Sequence, residues 1–318
     1  MFGGVIVLKI YKTNKEKSVD KIEDIVSNCW IDMLNPTEEE IDRVVDKTKI
    51  DKDLIVKMLD EEERPRIETS DTDTLIVIDT PYLAYDEGKM EFTTYPLGII
   101  ISKNNYLITV SPRKVNILRD FKHNKIKNFK TNKKTRFLIQ ILLKTSELYQ
   151  KALKQLNKEI TKTEEQLKNS TKNSDLIDML EIEKTLVYFL TSLKANDLVL
   201  EKLNQGKVVQ LFDNDKDLLD DAIIENKQAI EMSEIYRNIL NSITETYANV
   251  VSNNVNNLMK LLAAVTIILS IPNIITSFLG MNLHLSLAKL PGSEYIVLSS
   301  SVFICIIVAI ILKKKGML

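Results

Sequence analysis

Thr266, Ser270, Asn273 and Ser277 stand in LLAAVTIILSIPNIITSFLG (261–280), a stretch without a charged residue. On a helix turning by about 100° per residue, Ser270, Asn273 and Ser277 fall within about 40° of Thr266. Four polar side chains therefore share one narrow face of a rod that is otherwise largely apolar. Such a stripe is either a helix–helix contact glued by small polar groups or, when several copies gather round an axis, the wall of a polar tube. Asn273 favours the tube, because a carboxamide in hydrocarbon must face protein or water. Extended toward the amino end, the same face takes in Val255, Met259 and Leu262, apolar rings of the kind that gate a tube by dewetting.

The stretch ends in FLGMNLHL (278–285). Gly280 tolerates a left-handed cap, so the chain is expected to turn there. The turn matters for Asn282, which on a continued helix would point about 160° away from the stripe. A ring of neutral amide oxygens suits one kind of guest. Mg²⁺ surrenders its water reluctantly, and amides can hydrogen-bond to the hydrated ion without stripping it. Neutral groups also avoid the tight trap that a carboxylate ring makes for a divalent ion, and conduction requires release as well as binding.

These residues need elements to hold them. No charge follows Lys260 until Lys289, and none follows Glu294 until Lys313. The two runs read as membrane spans, 259–280 and 295–312, joined by an outer loop, 281–294. Lys260 and the basic tail 313–318, with Lys313, Lys314 and Lys315, put both termini in the cytoplasm. Upstream, no Gly or Pro occurs from Asp217 to Ile271. A helix over 217–279 would be on the order of 90–100 Å long. Its apolar residues keep a roughly 3.5-residue beat, which asks for partner helices. The segment 211–258 reads as a coiled-coil-like stalk, and 133–210 as a helical hairpin bending at KNSTKNS (168–174).

Residues 1–132 read as a soluble α+β domain. GVIVLKI, CWIDML, TLIVIDT and YPLGIIISKNNYLITV are β-branched runs bounded by polar clusters, the last folding at Asn104–Asn105. NPTEEEIDRVVDKT opens a helix with Thr37 and Glu40 in capping-box spacing, and DKDLIVKMLDEEE reads as a shorter one. Between Arg113 and Arg136 lies a very basic stretch, read as a solvated connector. The amino terminus becomes charged too soon for a signal peptide.

The composition narrows the function. Lys and Arg number 43 against 44 Asp and Glu, so no excess charge draws the chain to nucleic acid. With 8 Gly and 7 Pro, long helices are favoured over turn-rich β architecture. Cys29 and Cys305 imply no disulfide framework. No phosphate loop, nucleophile elbow or His/Cys cluster speaks for an enzyme.

Gly280-Met281-Asn282 at the end of the first of two carboxy-terminal spans resembles the CorA family of divalent-cation channels. Met259-Lys260-Leu261-Leu262, Pro272 in mid-span and the tail at Lys313 to Lys315 fit the family's pattern. So do WIDMLNPTEEEI (30–41) and LDEEERPRIE (59–68) in the soluble half. The resemblance implies a funnel-shaped homopentamer in the cell membrane, with the long helix continuing into the pore. It implies Mg²⁺ moving passively down its electrochemical gradient, and feedback inhibition by cytoplasmic Mg²⁺ bound between neighbouring subunits. Carried over residue by residue, Asn282 takes the filter role beside Gly280 and Met281, and Asn256, Met259 and Leu262 match the cytoplasmic mouth. Asp86 and Asp221 match the regulatory acids, with Glu87, Asp220 and Glu225 as neighbours. This chain departs from the family in Leu279, where many members carry an aromatic residue. It departs again in Pro272, one residue nearer to Gly280, and in an outer loop where Lys289 offsets its single acid, Glu294. The rival readings are a Zn²⁺, Co²⁺ or Ni²⁺ transporter of the same architecture, and a membrane-anchored helical scaffold or sensor without a pore.

Overall fold

The apolar runs of residues 7–111 build one seven-stranded sheet, in the order β2-β1-β3-β7-β6-β5-β4. Its strands are β1 (Val7–Thr13), β2 (Val19–Ile22), β3 (Trp30–Leu34), β4 (Arg66–Thr69), β5 (Asp73–Asp86), β6 (Lys89–Ser102) and β7 (Leu107–Ser111). Only β3 and β7 pair in parallel; the other neighbours are antiparallel. The computed structural model describes residues 7–86, 89–169, 173–281 and 292–318. The chain divides into two units, Met1–Asn241 and Ser242–Leu318.

Successive residues of β5 serve opposite faces of the sheet, as a period of two requires. Ile76 and Ile78 enter a core with Trp30, Phe121, Phe137 and Leu203. Leu75 and Val77 enter another with Ile41, Val44, Ile55 and Met58. Helices α1 (Glu38–Thr48) and α2 (Lys52–Val56) thus cover one face. The other carries α3 (Asn116–Lys122), α4 (Lys134–Asn169), α5 (Asn173–Asn204) and the first turns of α6 (Asp213–Leu279) through Leu219 and Ala222. The capping box is formed: Thr37 accepts from the Glu40 N–H, and the Glu40 carboxylate accepts from the Thr37 N–H. The turn at Asn104–Asn105 is also present, with Asn105 at φ 68°.

Some elements differ from the expectation. The second short helix stops at Val56 and tightens into a 3-10 turn at Lys57–Leu59. That turn drives Met58 into the sheet, where a Cβ on Gly98 would lie 2.4 Å from its sulfur. The basic connector holds a true helix, α3, anchored by Ile117, Leu118 and Phe121. Of the expected bend after α4, residues 170–172 lie outside the described residues.

Where α5 crosses β5, a polar knot replaces apolar packing. Asn196 clamps the Asp79 backbone, accepting from its N–H at 2.9 Å and donating to its carbonyl at 2.8 Å. The Ser192 hydroxyl donates to the Asp79 carboxylate at 2.6 Å. Burial pushes the Asp79 carboxyl up to about 6 despite that bond.

Candidate functional site

Helix α6 runs for 67 residues with Pro272 inside it. Proline lacks the N–H that would bond four residues back, so the Ile268 carbonyl loses its helical partner. Around this point two of the stripe's three hydroxyls turn to their own backbone. Thr266 donates to the Leu262 carbonyl at 2.8 Å, and Ser270 to the Thr266 carbonyl at 2.7 Å. Their protons are thereby satisfied inside the helix, while oxygen lone pairs remain for acceptance. The Asn273 carboxamide is exposed and has no hydrogen bond to its own chain among the described residues. Asn256, Met259, Leu262, Thr266, Ser270 and Ser277 are exposed as well.

The opposite face of α6 is covered. Ala264, Ile268, Ile271, Ile275 and Leu279 are its buried or half-buried positions in the span. At about 100° per residue they centre roughly 180° from Thr266. The matching positions on α7 (Ser293–Lys314) are Val297, Ser301, Cys305, Val308 and Leu312. The two helices meet at Cys305, whose Sγ lies 3.7 Å from the Ile268 carbonyl oxygen. This seam escaped the sequence reading, although small residues Ser301 and Cys305 four apart were a legible sign of it. The polar stripe is the face that α7 leaves bare. Both helices are long and apolar enough to cross a membrane, and little of the most apolar stretch of each is buried within the chain.

Helix α6 ends at Leu279 and the chain turns at Gly280, as expected, but not through the cap conformation the sequence allowed. Gly280 does not take a left-handed backbone; among the described glycines positive φ belongs to Gly206, Gly292 and Gly316. The Gly280 N–H donates to the Thr276 carbonyl at 2.9 Å and the Met281 N–H to that of Phe278 at 3.4 Å. The last turn is thus closed by these bonds rather than by a left-handed residue. Its missing Cβ spares a 3.3 Å approach to the Thr276 oxygen. Asn282 lies outside the described residues, and Glu294 falls in the first turn of α7.

Among the described residues, the acids matched to a regulatory role form no cluster. Asp86 closes β5 opposite Lys89, and Glu87 lies outside the described residues. Asp220 and Asp221 are exposed on α6. Glu225 is engaged by Gln150, whose amide donates to its carboxylate at 2.5 Å. Among the described residues no group of three or more His, Cys, Asp or Glu is placed to hold a metal ion.

Comparison with known proteins identifies the family and the fold. The profile described as CorA-like Mg2+ transporter protein matches residues 27–314. The cobalt/magnesium transport protein CorA of Methanocaldococcus jannaschii is 30% identical over 297 residues, 90% of each chain. The complete structure of the CorA magnesium transporter from Methanocaldococcus jannaschii superposes with a TM-score of 0.86 at 27% identity, covering 99% of both chains. The full-length CmaX protein shares the fold, with a TM-score of 0.72 at 15% identity over 98% of this chain and 99% of the other. A sheet domain with flanking helices, a long helix and a second apolar helix is thus the fold of a divalent-cation membrane transporter, not an enzyme, and the chain belongs to the CorA family.

Proposed function

We propose that this chain is the subunit of a homopentameric Mg²⁺ channel of the cell membrane, driven by the membrane potential, with both termini in the cytoplasm. The observation that carries this reading is the bare stripe Thr266, Ser270, Asn273 and Ser277, opposite the face that α7 covers. An amide without a partner among the described residues of its own chain calls for water or a neighbouring subunit at membrane depth, and a water-filled axis supplies one. Met259 and Leu262 would ring its cytoplasmic mouth below Asn256, and Asn282 would meet the hydrated ion beside Gly280 and Met281. The names of the relatives speak of magnesium and cobalt transport, which supports divalent cargo. Feedback inhibition by cytoplasmic Mg²⁺ belongs to the same reading. Asp220 and Asp221 lack ion-pair partners in their own chain among the described residues, as suits acids that meet Asp86 and Glu87 of another subunit through the metal.

Mg²⁺ uptake by proteoliposomes tests the reading. Native protein should admit Mg²⁺, and Asn282→Ala should lose most of that flux; equal flux in the variant overturns the filter assignment. No uptake above empty liposomes would instead favour a scaffold. Asp221→Ala and Asp86→Ala should keep conducting at millimolar internal Mg²⁺, and unchanged inhibition removes those residues from the regulatory site.

A further inference from the structure

A cleft of about 460 Å³ opens between the β2-β1-β3 edge of the sheet and helix α3, away from every residue assigned above. Its walls carry Lys9, Lys21, Lys114, Arg119 and Lys122 around a single carboxylate, Asp32. The fold gathers these cations from distant parts of the chain. Register sets Lys9 opposite Asp32 and Tyr11 opposite Lys21. Helix α3 lowers Arg119 and Lys122 from one turn, and Lys114 stands just before it.

The carboxylate does not neutralise the cleft. Asp32 is 4% exposed and already spent: it accepts from the Thr109 hydroxyl at 2.8 Å and is ion-paired with Lys122. For Lys9, Lys21, Lys114 and Arg119 no ion pair with a carboxylate occurs among the described residues. Four unpaired cations thus converge on a concavity within the volume range of small-ligand sites. Confining like charges there is unfavourable, and a concave wall focuses their field outward onto a counter-charge. Tyr11 adds a phenol to the lining. Burial and nearby Asp32 push that phenol up to about 12, so it keeps its proton and can donate.

We infer that this cleft binds a small phosphate-bearing polyanion, a di- or triphosphate group, through Lys9, Lys21, Lys114 and Arg119. Lysine and arginine are the side chains suited to phosphate oxygens, and the charge count matches an oligophosphate better than a single monoanion. The inference stands independently of the transport reading, with one consequence for it. Mg²⁺ masks oligophosphate charge, so the cleft should fill best when free Mg²⁺ is scarce.

The test is calorimetric titration of tripolyphosphate into the full-length protein in nanodiscs of zwitterionic lipid without divalent cation. Binding should be saturable. Lys21→Ala and Arg119→Ala, both exposed and outside the Asp32 pairing, should each weaken it several-fold, and together by roughly tenfold or more, as loss of charge-assisted hydrogen bonds to phosphate predicts. Lys154→Ala on α4 should leave it unchanged. Trp30, the sole tryptophan, offers a second readout, since the Lys122 ammonium sits 5.8 Å from its ring and binding should alter its emission. Repeating the titration in nanodiscs with phosphatidylglycerol distinguishes the source of the phosphate. Weaker tripolyphosphate binding there would show that a lipid phosphodiester competes for the cleft and would overturn its assignment to an oligophosphate; unchanged binding supports a soluble oligophosphate. Absence of saturable binding, or full affinity in the double variant, overturns the inference.

Discussion

The Cys305 thiol donates to the Ile268 carbonyl, 3.7 Å away, and this is the carbonyl that Pro272 leaves without a helical partner. A defect in one apolar helix is thus answered by a side chain of the other. The relationship predicts a coupling. Cys305→Ala should destabilise the protein by about 1 kcal/mol, the scale of a lost weak donor to an otherwise orphaned carbonyl. In a Pro272→Ala background the restored N–H takes the acceptor, and the same change should then cost close to nothing. A double-mutant cycle on thermal unfolding in detergent measures this directly; equal costs in both backgrounds would refute the pairing.

The two faces of α6 should also react differently with water-soluble reagents. With Cys29 and Cys305 replaced, cysteines at Thr266, Ser270, Asn273 or Ser277 should react rapidly with a charged thiosulfonate in the reconstituted protein. Cysteines at Ile268, Ile271 or Ile275, on the covered face, should react at least about tenfold more slowly, as side chains packed away from water do. Uniform rates along the helix would mean that no wet passage follows the stripe.

Asp79 should make stability depend on pH in the unusual direction for a carboxylate. Its folded value, about 6, lies above the ordinary 3.8, so the native state binds more protons than the unfolded chain between those values. Stability from this group is present below about pH 4 and lost as pH rises through about 6. Asp79→Asn should remove the loss, raising stability near pH 7.5 by about 2–3 kcal/mol at most, with no gain at pH 4. Thermal melts of both proteins across that range provide the comparison, and a variant that is less stable at pH 7.5 contradicts the assignment.

Gly98 makes room for Met58. A methyl group there would come within 2.4 Å of the Met58 sulfur and 2.5 Å of its Cγ. Gly98→Ala should cost about 1–3 kcal/mol through overpacking. Met58→Ala in the same chain should recover part of that cost, since the smaller side chain vacates the contact. Additive losses in the double variant would show that the crowding lies elsewhere.

What could be read before the fold was known was local chemistry. The Thr37–Glu40 capping box, the Asn104–Asn105 turn and the helix through Asp217–Ile271 depend on neighbours in sequence, and each is present. Strands β2 and β4, VDKI and RIET, escaped because they are short and largely polar, held by the strands beside them. Helix α3 was hidden among lysines, with Ile117, Leu118 and Phe121 its only inward residues. In the candidate site the stripe was legible from spacing alone, because one helix sets it. Which face α7 would cover, and that Cys305 would find Ile268, depended on two segments docking. The stop at Gly280 was legible, but its cap geometry was not: glycine permits a left-handed turn without demanding one, and the Thr276 carbonyl was within reach.

The break in the α6 ladder opens toward α7, so the carbonyl that Pro272 frees is met by Cys305 and does not fall on the bare face. What that face offers to a passing guest is decided by a few interchangeable side chains mounted on intact scaffolding. Residues such as Ser270 and Asn273 can therefore be exchanged one at a time, by mutation or by natural drift, to retune what the surface tolerates without rebuilding the rod that carries them.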